Sequence, residues 1–66
     1  MSGFKERVQT EKAQLDERIQ KLNTFIESNP QFPKLSAAEQ QRLKEQRTHM
    51  VLYSRVLLQR LAADFQ

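Results

Sequence analysis

The chain reads as an all-α protein, an antiparallel two-helix hairpin that assembles into an oligomeric helical bundle. Three observations point there. The single glycine, Gly3, and both prolines, Pro30 and Pro33, fall outside two long segments of helix-tolerant residues. A 4-3-4 spacing of apolar residues runs along the first segment. The second segment ends in MVLYSRVLLQRL, residues 50–61, where eight of twelve positions are apolar or aromatic. One partner helix cannot cover so many.

The first helix is expected over about residues 4–28. Glu, Lys, Gln, Leu and Arg dominate it, and Leu15, Ile19, Leu22 and Ile26 draw a single stripe along it. Ser2 is placed to cap its start. The segment SNPQFPKL then interrupts, because proline disfavours helix at the residue before it and Asn29 suits a helix end. This corner, 29–35, carries Phe32 and Leu35, which are expected to tuck over the open end of the hairpin. Ser36-Ala37-Ala38-Glu39 has the spacing of a capping box and starts a second helix over about 36–63. Leu43, Met50, Leu57 and Leu61 line one of its faces, with Tyr53 beside them and Gln46 read as a polar seam position. Each helix spans about 37 Å at 1.5 Å per residue. The short connection makes the pair antiparallel, and the 66 residues form one domain.

At 100° per residue, Leu52 and Val56 fall on a different side from that seam, and Val51 and Leu58 on a third. Leaving them wet forgoes about 1.5–3 kcal/mol for each that could be fully buried. Val51, Leu52, Val56 and Leu58 are therefore the expected oligomer interface, in a four-helix bundle of two hairpins or a larger ring. A chain completed by a foreign partner is the competing reading.

Composition bounds the chemistry. With no cysteine and one histidine, no metal site, cofactor or thiolate nucleophile is expected. The net charge of +3 favours an anionic ligand without pointing to nucleic acid, since acids are interspersed among the bases. No apolar run approaches the roughly 18–20 residues that span a bilayer, and none resembles a signal peptide. No membrane association is expected, and the cytoplasm is the expected location. Phosphate loops, nucleophile elbows and paired carboxylates are absent from the sequence, so catalysis is not expected. Asp16 and Glu17 point to different helix faces.

Candidate ligand-binding residues are Lys12, Arg47, Tyr53 and Arg55. Lys12 continues the apolar stripe backwards from Leu15 towards Val8. Its stem either covers apolar surface while the ammonium reaches out to water, or it holds a phosphate or carboxylate at an interface, with Glu11 or Asp16 as competing partners on its own helix. Tyr53 either fills the core, the favoured reading, or stacks on a base. Arg47 and Arg55 flank Tyr53 in sequence, and arginine near an aromatic ring suits a nucleotide's phosphate and base. His49 has no partner at metal or catalytic spacing.

The run LDERIQKLNTFIES (15–28) and the spacing Met50, Tyr53-Ser54, Leu57, Arg60 resemble a group of small phage and prophage proteins related to a crAss-phage product. The resemblance extends from Glu6 to Ala62. It implies a phage origin and an αα-hairpin, and brings no active site. In size and hairpin architecture alone, the chain is also similar to phage anti-defence sponges of the anti-CBASS and anti-Thoeris kind, which bind cyclic nucleotide signals between protomers. The function expected is non-enzymatic sequestration of an anionic cyclic nucleotide immune signal within a homo-oligomer in the host cytoplasm. The alternative is an inhibitor or adaptor that docks the apolar face of helix two on a host defence or regulatory protein.

Overall fold

In the computed structural model, which describes residues 3–64, two long helices pack antiparallel as a hairpin: α1 (Gly3–Ser28) and α2 (Ala37–Asp64). A 3-10 helix, Phe32–Lys34, lies in the corner between them. The expected cap at Ser2 lies outside the described residues. Each helix begins and ends within one residue of the ranges that propensity and punctuation indicated.

Local chemistry makes the corner. The Asn29 N–H donates to the Phe25 carbonyl at 3.2 Å and closes α1. The Gln31 N–H donates to Asn29 Oδ1 at 2.8 Å, so the side chain stands in for a turn carbonyl. Pro33 occupies the first turn of the 3-10 helix, where a missing N–H costs nothing. Ser36 then caps α2: its Oγ accepts from the Glu39 N–H at 3.1 Å. The Glu39 carboxylate turns forward and accepts from Arg42 Nε at 2.9 Å. Phe32 is buried edge-to-face on Phe25, with centroids 6.1 Å apart, and Lys44 lies over its ring. Leu35 is half-buried beside it.

The seam between the helices alternates steps of three and four on both sides. On α1 it runs Val8, Lys12, Leu15, Ile19, Leu22, Ile26; on α2 it runs Leu43, Arg47, Met50, Ser54, Leu57, Leu61. This is the spacing of knobs packing into holes. Val8, Leu15 and Leu57 form its dry centre, with Ile19, Met50 and Leu61 against them. Among the described residues, Leu57 alone is fully enclosed.

Two expectations are corrected here. Gln46 is exposed, and Arg47 holds the seam position between Leu43 and Met50. A step of three from Leu43 leaves Gln46 about 60° short of the seam, whereas a step of four overshoots by only about 40°. Tyr53 is not core: it is 45% exposed, about 80° round from the seam, because Ser54 takes the buried place.

One seam leaves much outside. The molecule measures 48 × 15 × 13 Å with a radius of gyration of 15.0 Å, against about 11 Å for a compact chain of this length. Its accessible surface is 5019 Å², where a folded monomer of 7.8 kDa typically shows about 4,400 Å². Val51, Leu52, Val56 and Leu58 are 41–57% exposed. Because Leu57 is sealed on all sides, Leu57→Ala should destabilise the hairpin by about 2–5 kcal/mol. Thermal melting by circular dichroism should show the cooperative transition lost or strongly lowered.

Candidate functional site

Polar residues in and beside the seam bind the two helices together at three levels. In the first, Lys12 Nζ donates to Asp16 Oδ2 at 2.7 Å, and the buried Ser54 hydroxyl donates to Asp16 Oδ1 at 2.5 Å. Asp16 thus collects one bond from its own helix and one from α2. Its carboxyl is held below the ordinary 3.8, first by the Lys12 hydrogen bond and then by that of Ser54, since both favour the charged form.

The second level lies one heptad further. Asn23 follows Asp16 by seven residues and Arg47 precedes Ser54 by seven, so in an antiparallel pair they meet. Arg47 Nη1 donates to Asn23 Oδ1 at 2.7 Å and to Glu27 Oε2 at 3.3 Å. Seven residues of helix separate the two levels by about 10 Å. The third level is on the opposite flank, where the Tyr53 hydroxyl donates to the Glu11 carboxylate. That bond stabilises the protonated phenol and raises Tyr53 above 10.0. Nearer the α1 start on that flank, the Arg60 guanidinium lies 5.2 Å from the centroid of the Phe4 ring.

The four candidate residues therefore divide. Lys12, Arg47 and Arg55 share one flank of the hairpin, and the first two are already engaged by Asp16 and Glu27. Arg55 is exposed and, among the described residues, makes no ion pair or hydrogen bond. Tyr53 faces the other way. Two helical residues apart means about 200° of rotation, so Tyr53 and Arg55 of one chain cannot close on the same small ligand. Neighbours in sequence are not neighbours in space here.

The sequence offers Asp16 only as a partner of Lys12 on its own helix, and Asn23 and Ser54 are not singled out there as part of this site. The signal was present in the 3-4 alternation, which, carried through Arg47, lands on Ser54 and places its hydroxyl at the seam.

Two shallow, open depressions lie along α1. One runs along α1 between Gly3 and Gln14, past Arg7 and Glu11; the other is lined by Glu17, Gln20, Lys21 and Thr24. Among the described residues, no group of three or more His, Asp or Glu could hold a metal ion. No helix there is long and apolar enough to cross a membrane.

Asp16 supplies a pH test. Its folded value is depressed, so its contribution is complete above the unfolded value near 3.8 and is lost as pH falls through the folded one. Asp16→Asn should lower the melting temperature at pH 6, and the gap from wild type should narrow as the pH is taken below 3.8. A gap that persists unchanged into acid would remove the charge from the explanation.

No curated protein and no solved structure matches the chain. The model of the family described as Sequestin matches residues 2–63. On that near-complete coverage, the chain belongs to the Sequestin family.

Proposed function

We propose that this protein is a non-enzymatic sequestering protein of phage origin that works in the host cytoplasm. It captures an anionic, cyclic nucleotide immune signal between protomers of a homo-oligomer and so withholds it from host defence. The family's name denotes sequestration, and the phage origin follows from the sequence resemblance. The observation that carries the rest is the cationic flank. Lys12, Arg47 and Arg55 share it, and the two depressions along α1 lie open to solvent. Holding a small ligand away from water requires walls on several sides, and a second hairpin is the simplest source of them.

In this reading the guanidinium of Arg55 takes a phosphate directly, being uncommitted. Lys12 and Arg47 engage phosphate by exchanging it for Asp16 and Glu27. Tyr53 stacks a base from a neighbouring protomer, because its own chain directs it to the far flank. Val51, Leu52, Val56 and Leu58 supply the contact between copies. Isothermal calorimetry against cyclic di- and trinucleotides and ADP-ribose-type nucleotides should give saturable heat with at least one class. Arg55→Ala should weaken that binding about tenfold or more, the worth of a charge-assisted hydrogen bond. No heat with any member of the panel sinks the proposal.

A second reading rests on Leu52 and Val56, which lie opposite the seam and are 44% and 47% exposed. A hydrophobic edge of that kind fits helix-in-groove docking on a host protein. Co-purification of a stoichiometric protein in place of a heat-stable small molecule would favour this adaptor.

A further inference from the structure

Arg55 sits inside an apolar stripe. Val51, Arg55, Leu58 and Ala62 follow one another by four, three and four residues, and at 100° per residue they lie within about 60° on the α2 surface. The stripe stands about a quarter turn from the seam, on the flank that carries Arg47. All four residues are exposed, Val51 at 41% and Leu58 at 57%. The neighbouring flank of α1 offers Asp16, Asn23 and Glu27, already tied to Lys12, Ser54 and Arg47. It cannot cover Val51 and Leu58.

We infer that a second copy of this chain packs on the stripe about a two-fold axis near Arg55, and that an anion bearing two or more charges completes the contact. The stripe is self-complementary. With two α2 helices antiparallel about a two-fold axis, Val51 of each copy meets Leu58 of the other. The same register brings Arg55 of each copy to the axis. Two unpaired guanidiniums there repel one another, and desolvation on contact adds to that cost. A bridging phosphate reverses the sign by accepting hydrogen bonds from both. Assembly and anion binding are thus one linked equilibrium: each promotes the other by the same factor.

The accessible surface of one chain exceeds that typical of its mass by about 600 Å², as expected of an elongated hairpin that leaves apolar faces uncovered. This inference rests on the homo-oligomer reading above and gives it a register, an axis and a condition.

Sedimentation equilibrium of the intact chain tests it, comparing sodium chloride with inorganic pyrophosphate at equal ionic strength. The wild-type dimer constant should tighten about tenfold or more in pyrophosphate. Arg55→Leu should dimerise in chloride alone, because the repulsion is gone and the stripe is continuous. Arg55→Gln, which adds no apolar surface, should lose the pyrophosphate response. Leu58→Glu should prevent the anion-driven dimer, whereas His49→Glu, exposed on the side of α2 away from the stripe, should leave it intact. A wild-type dimer indifferent to pyrophosphate overturns the inference, as does an Arg55→Leu protein that is folded by circular dichroism yet monomeric. Dimerisation driven by pyrophosphate, together with silence towards every nucleotide, would leave this inference standing and remove the proposed ligand class.

Discussion

Two helices share one line of contact, and every other property of this molecule follows from that limit. The line is dry only where Val8, Leu15 and Leu57 meet, and Leu57 is its one sealed side chain. Helix propensity and the Ser36 cap favour the helices but do not hold them together; burial along the seam does. A hairpin this thin cannot also cover Val51, Leu52, Val56 and Leu58. Its large surface and 48 Å length are the geometric expression of that shortfall.

The seam is not purely apolar, and its polar members have a recognisable role. Ser54 and Arg47 each occupy a position where a leucine would bury more surface. In exchange, Ser54 meets Asp16 and Arg47 meets Asn23, two hydrogen-bonded levels separated by one heptad. Apolar knobs alone tolerate slippage along a helix pair, whereas such levels are satisfied together in one register only. The eight-residue connection between Ser28 and Ala37 restricts the same motion from the other direction. Register is therefore held at both ends of the argument, by the chain's path and by its buried polar chemistry.

This division of labour also separates structural from available charge. Lys12 and Arg47 carry the charges nearest the core, yet both are neutralised across short distances by Asp16 and Glu27. Arg55, one residue beyond the buried Ser54, makes no ion pair or hydrogen bond among the described residues. Membership of the Sequestin family sets that arrangement in the context of a sequestering protein. The exposed charge lies on the outside of the hairpin because the polar groups of the seam are already engaged in holding it closed.

Much of the fold was readable from residue order alone, for local reasons. Pro30, Pro33, Asn29 and Ser36 punctuate the backbone through their own dihedral and hydrogen-bonding limits, and they mark the helix ends to within a residue. The apolar stripes on α1 and around Leu57 were equally visible, as was the surplus of apolar faces on α2. Which polar residues enter the seam was decided only by packing. Gln46 and Arg47, or Tyr53 and Ser54, are adjacent in sequence, and a helix rotation of a few tens of degrees exchanges their places. That rotation is set by how Leu57 and Met50 fit against α1, a contact between segments some forty residues apart. The partners Asp16 found in Ser54 and Glu11 found in Tyr53 depend on the same fit. Periodicity determined that the chain forms two helices; the angle at which they meet assigned each side chain its neighbour.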